Sequence, residues 1–217
     1  MIPATAVRSG STAEGRRAGL LRMRGAKNFL TSYRNHLIAT VCAIPLDEVN
    51  RAIEWLKDAR DRERRIFTCG NGGSAATASH FVCDVIKGAS FNREKRFRIA
   101  ALTDNLATLT AYSNDIHYDC VFVEQLKNLA ESGDILLGIS GSGNSPNMLR
   151  AFEYANESGC RTIALTGRDG GKLGSLAQLN IQIPVAHMGR IEDAHMSVCH
   201  MIGYYFMEVE HAQAASD

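Results

Sequence analysis

Apolar positions change their period several times along this chain, and the changes mark out its elements. Phe29, Leu30, Tyr33, Leu37 and Ile38, and after Pro45 the residues Val49, Ile53, Trp55 and Leu56, recur at helical spacing. They predict two helices between Asn28 and Arg60. Beyond that point short continuous apolar runs alternate with helical ones. The runs predict strands over 65–69, 98–102, 134–139, 161–165 and 179–185. Helices are predicted over 74–86, 105–112, 122–130, 147–158 and 191–209. Strands alternating with helices at this spacing imply right-handed βαβ units and an α/β fold whose parallel sheet is covered on both faces. Such sheets take their ligands beyond the carboxyl ends of the strands, near the point where strand order reverses.

Composition narrows the functional classes. The 217 residues carry 24 Lys+Arg against 23 Asp+Glu, a formal charge of +1, so no basic excess points to nucleic acid or a membrane surface. No apolar run reaches the roughly 20 residues of a membrane span. The six cysteines (42, 69, 83, 120, 160 and 199) are scattered without a C-x-x-C pair, and are expected to be reduced thiols, mostly buried. Residues 1–27 are expected to form a disordered tail, with Met23 an alternative start of translation; they lack the apolar h-region of a signal peptide. A single domain over 28–217 and a cytoplasmic location are expected.

Two loops carry the candidate chemistry. Gly70-Asn71-Gly72-Gly73-Ser74 follows the first strand, and Ser140-Gly141-Ser142-Gly143-Asn144-Ser145 follows the third, with Pro146 placed to start a helix. One Gly/Ser cluster is ordinarily just a turn. Two, each between a strand and a helix, point to a phosphate cradle built from backbone N–H groups and hydroxyls. The first loop also fits G-x-G-x-x-A through Ala75, but the acidic residue of a dinucleotide site should follow after about 20 residues. Asp104 comes 29 residues after Ala75, and neither loop is followed by the Gly-Lys-Ser/Thr of a nucleotide P-loop. A sugar phosphate fits better than a nucleotide.

Polar residues of two helices come next. His80 and Asp84 are four residues apart and share a helix face. Glu192, Asp193, His195 and His200 lie in the closing helix. Taken alone, the first pair reads as a surface ion pair and Glu192/Asp193 as the acidic first turn of a helix. Together, imidazole and carboxylate also suit a zinc-like divalent ion with room left for substrate oxygens.

The two loops, with Thr166-Gly167-Arg168-Asp169-Gly170-Gly171-Lys172, resemble the sugar isomerase (SIS) domain, and within it the phosphoheptose isomerases, over roughly Phe29 to Glu208. The resemblance implies a three-layer αβα sandwich with a five-stranded parallel, flavodoxin-like sheet preceded by N-terminal helices. It implies an aldose–ketose isomerase that converts sedoheptulose 7-phosphate to D-glycero-D-manno-heptose 7-phosphate through an enediol, for heptose biosynthesis. It implies Zn²⁺ or another divalent metal on His80, Asp84, Glu192 and His200, with Asp84 and His200 as the acid–base pair. Asn71, Gly72, Gly73, Ser74, Asp84, Asn114, Asp115, Ser140, Gly141, Ser142, Ser145 and Glu192 are then expected around the substrate. The family's usual residues differ at three positions: Glu where this chain has Asp84, Gln where it has Glu192, and often Thr where it has Gly141. Eight residues of helix rise about 12 Å, too far for Glu192 and His200 to share one ion comfortably. A homotetramer with sites shared between subunits is expected from this and from the family. Two alternatives stand beside this reading: a non-catalytic SIS protein that binds the replication initiator, and an isomerase of a different phosphosugar.

Overall fold

Five apolar runs become five parallel strands: β1 (Arg65–Gly70), β2 (Arg98–Ala101), β3 (Ile135–Ser140), β4 (Arg161–Gly167) and β5 (Leu179–Ile183). They form one sheet in the order β2-β1-β3-β4-β5, with Ile66 opposite Ile135 and Leu137 opposite Ile163. This computed structural model describes the backbone of residues 13–210 and the side chains of residues 25–210. β3 lies at the centre of the sheet and is buried along its whole length, as expected for a strand covered on both faces.

The helices are α1 (Ala13–Cys42), α2 (Leu46–Asp61), α3 (Gly73–Cys83), α4 (Leu106–Asp115), α5 (Val123–Leu129), α6 (Pro146–Glu157), α7 (Gly171–Leu176) and α8 (Met188–Tyr204). Alternate strand residues feed two cores. On one face Ile66, Ile135, Leu137 and Ile163 pack with Leu56 of α2, Phe81 of α3 and Val198 of α8. On the other, Phe67, Leu136 and Ala164 pack with Leu126 of α5, Phe152 of α6 and Leu173 of α7. The result is the expected α/β sandwich with the flavodoxin-like strand order. The buried carboxylate of Asp134 joins two of its parts, accepting from the Arg65 N–H at 2.8 Å and the Glu131 N–H at 2.9 Å.

The chain divides into two compact units, one ending at Ala39 and the other starting at Thr40. In the first, α1 leaves Phe29, Leu30 and Ile38 exposed. Of the tail expected over 1–27, residues 1–12 lie outside the described residues, and 13–27 have helical backbone that suits their Ala, Leu, Arg and Met content. Two short elements escaped the periodicity: a 3₁₀ turn at Tyr118–Cys120, and the six-residue α7, which begins among glycines. Two predicted helices also change winding. After Cys83 the chain continues as a π turn, Asp84–Ala89, and after Tyr204 as another, Tyr205–Val209. Among the described residues no helix is long and apolar enough to cross a membrane.

Candidate active site

Because β1 and β3 are neighbours in the sheet but not in the chain, the loops leaving their carboxyl ends open side by side where strand order reverses. The first loop turns at Gly72, whose φ of 55° and ψ of −120° suit glycine. The N–H groups of Ser74, Ala75 and Ala76 then fold back on the Asn71 and Gly72 carbonyls to start α3. In the second loop the Gly143 N–H donates to the Ser140 carbonyl at 3.1 Å and its hydroxyl at 3.2 Å. Gly143 has φ 63°, and a Cβ there would stand 2.0 Å from the Gly170 carbonyl oxygen. The turn after β4 thus packs directly on this loop, with the Leu173 N–H donating to the Gly143 carbonyl at 2.9 Å and the Lys172 N–H to Asn144 Oδ1 at 3.1 Å. Ser145 precedes α6 without using its hydroxyl as a cap.

Between the loops lies a cavity of about 320 Å³. Its walls are Asn71, Gly72, Gly73 and Ser74 on one side, Ile139, Ser140, Gly141, Ser142 and Ser145 on the other, and Met188 and Glu192 of α8. Among the described residues no lysine or arginine lines it, so an anion there would be met by N–H, hydroxyl and amide donors. Glu192 leans over the start of α3: a Cβ on Gly73 would lie 2.9 Å from its Oε1. A carboxylate is favoured beside the free N–H groups of a helix start. A Cβ on Gly141 would lie 2.6 Å from Met188 Sδ, so Met188 takes the space a larger side chain at 141 would fill.

The second cluster sits further along α3 and α8. His80 and His200 bring their Nε2 atoms to 3.0 Å, and Asp84 Oδ2 is 3.3 Å from the first and 3.8 Å from the second. Ligands about 2.0–2.2 Å from a tetrahedral ion stand roughly 3.3–3.6 Å apart, and the three separations here bracket that range. Two imidazoles and a carboxylate facing one another could hold a divalent cation. Glu192 is not in this group of three, whose ligand atoms all lie within 4.8 Å of one another. It stands two turns earlier on α8, in the cavity wall.

Other polar residues fall outside both clusters. Asn114 and Asp115 end α4, bonded to each other at 2.8 Å, and Asp115 lines a separate cavity of about 120 Å³ with Ala111, Tyr112 and Ile116. Arg93 and Lys95 line another cavity with Arg60 and Glu210. His187 caps α8, accepting from the Arg190 N–H. Asp104 accepts from the Ser79 hydroxyl. Cys83 is exposed and Cys199 buried; burial first, and Asp84 second, push the Cys199 thiol up to about 12. It stays protonated and is no nucleophile. Sequence reading missed Ile139 and Met188, which line the cavity without a polar signal. It also missed Asn147, a polar residue on the buried face of α6 otherwise formed by Met148, Ala151, Phe152 and Ala155.

His195 belongs to the core: it is fully buried, and its Nε2 faces the Thr166 carbonyl at 3.1 Å. Burial, partly offset by that hydrogen bond, lowers its pKa from 6.5 to about 4. The folded protein thus keeps His195 neutral where the unfolded chain would take up a proton. Its contribution is fully present above pH 6.5 and is lost progressively as pH falls through 4, about 3 kcal/mol in all. Urea unfolding from pH 7.5 to 4.5 should show this acid-side loss in the wild type, and a shallower loss in His195→Gln. Equal slopes would refute the assignment.

Comparison with known proteins agrees with this geometry. The family model described as the SIS domain matches residues 31–167, more than half of the chain. The phosphoheptose isomerase of Aliarcobacter butzleri is 42% identical over 73% of this chain and 82% of its own length. The solved phosphoheptose isomerase of Neisseria gonorrhoeae superposes with a TM-score of 0.75 at 33% identity, covering 86% of this chain and 98% of that one. The Francisella tularensis phosphoheptose isomerase superposes with a TM-score of 0.78 at 27% identity, with the same coverage. With two glycine-serine loops at the strand reversal and this degree of similarity, the chain belongs to the SIS domain family and, within it, to the phosphoheptose isomerases.

Proposed function

We propose that this aldose–ketose isomerase converts sedoheptulose 7-phosphate to D-glycero-D-manno-heptose 7-phosphate. The observation that carries the reading is the pairing of a charge-poor, donor-lined cavity with the His80, Asp84 and His200 cluster on the helices that border it. The cavity would hold the phosphate, with Ser140, Ser142 and Ser145 donating from one loop and the Gly72 and Gly73 N–H groups from the other. Gly73 and His80 are seven residues apart, roughly 10 Å of helix, so a seven-carbon ester fits better than a short one.

Isomerisation moves a proton between adjacent carbons through a cis-enediol. Asp84 and His200 are assigned as the pair that removes and returns it. His80, Asp84 and His200 would hold Zn²⁺ or another divalent metal, which when bound supplies Lewis-acid polarisation of the carbonyl. Glu192 would accept from a sugar hydroxyl at the cavity wall, and would reach a metal only if sites combine subunits. On this reading the enzyme works in the cytoplasm as a homotetramer with shared sites, where Asn114 and Asp115 would meet substrate bound by a neighbouring subunit. The exposed Phe29, Leu30 and Ile38 of α1 support association. A different phosphosugar is the second reading, favoured by the Gly141–Met188 packing and the charge of Glu192.

Chelator-treated protein, assayed with a panel of ketose phosphates before and after adding zinc, tests the proposal. Activity should be greatest with the seven-carbon ester, vanish on chelation and return with the metal. Activity indifferent to chelation would overturn the metal assignment, and preference for a shorter ester would favour the second reading.

A further inference from the structure

The first loop is joined to the start of α6 by a pair of side-chain amides. Asn147, the second residue of α6 and 1% exposed, donates from Nδ2 to Asn71 Oδ1 at 2.8 Å. Asn71 donates in return from Nδ2 to Asn147 Oδ1 at 2.9 Å. The Met148 N–H, which can only donate, fixes which end of the Asn147 amide is which, and the reciprocal pair then fixes Asn71. The Met148 N–H donates to Asn147 Oδ1 at 3.0 Å, and the Tyr118 hydroxyl donates to Asn71 Oδ1 at 2.8 Å. If either amide were turned over, its NH₂ would face an N–H or disturb its partner. Asn71 Oδ1 accepts twice and one of its amide hydrogens is engaged, so its remaining N–H is the group it can offer the cavity it lines.

The geometry points to Asn147 as a positioning residue: through its reciprocal pair with Asn71 it locks the β1 loop to the start of α6, so that the cavity presents an amide donor in a preformed shape. This rests on the reading of the cavity as the phosphate-end site. Residues that prepare a site without touching ligand lower the cost of ordering it, and their loss weakens binding more than turnover.

The experiment uses the full chain with inorganic phosphate and sedoheptulose 7-phosphate as probes. Asn147→Ala should raise KM about tenfold while kcat changes less than about threefold, and should shrink the rise in thermal midpoint that inorganic phosphate gives the wild type. Tyr118→Phe should act in the same direction by a few-fold. Because Asn147 acts through Asn71, the double variant Asn71→Ala/Asn147→Ala should bind no more weakly than Asn71→Ala alone, within about twofold. Additive losses, or a phosphate response in Asn147→Ala equal to wild type, would overturn the positioning role and leave the cavity reading intact. A wild type unmoved by phosphate and by the ester would overturn both. Asn147→Ser, which keeps a hydroxyl for the Met148 N–H, gives the same comparison if the alanine variant does not fold.

Discussion

His200→Ala is expected to lower kcat/KM for the ketose phosphate by about 10²- to 10⁴-fold, the range for losing a positioned acid–base group. The loss should fall on kcat, since His200 stands away from the cavity that would hold the phosphate. Bound zinc should fall as well, because the 3.0 Å approach of His80 and His200 leaves a two-ligand remnant once either is removed. Stability should change little: His200 is half-exposed, and surface changes away from core contacts usually stay within about 0.5 kcal/mol. A variant that retains activity within tenfold and full metal content would remove His200 from the mechanism.

Gly143→Ala is expected to have the largest effect on stability, about 3 kcal/mol or more, with loss of phosphate binding. The left-handed φ of 63° costs an alanine of order 1 kcal/mol. The larger part is steric, because the new methyl would meet a backbone oxygen 2.0 Å away. Backbone cannot rotate aside as a side chain does, so the turn carrying α7 must move. Gly141→Ala makes the contrast. Its methyl would meet Met188 Sδ at 2.6 Å, the end of a flexible chain, so a loss below about 1.5 kcal/mol is expected. Chemical denaturation of the two variants should separate them clearly; equal stabilities would refute the packing of the two turns.

The strands were legible because a parallel sheet buries both faces, so each reads as a short continuous apolar run between glycine-rich turns. The cavity between the loops was legible because glycines and serines cluster where strand gives way to helix. What stayed hidden depends on long-range contact. Nothing local separates His80, which meets His200 across 120 residues, from His195, which is buried against Thr166. The winding change at Asp84 has no mark in the apolar period, and Gly88 in that turn lies against Met207 of the second π turn. Asn147 is locally one more polar residue of a helix start, and its partner Asn71 lies 76 residues away.

A crystal structure of the zinc-loaded enzyme with sedoheptulose 7-phosphate addresses the central claim most directly. The phosphate should lie between residues 70–73 and 140–145, within hydrogen-bond distance of Ser140, Ser142 and Ser145, and the first two carbons should lie beside Asp84 and His200. A phosphate bound outside both loops, or sugar carbons remote from every His80–His200 pair of the assembly, would contradict it.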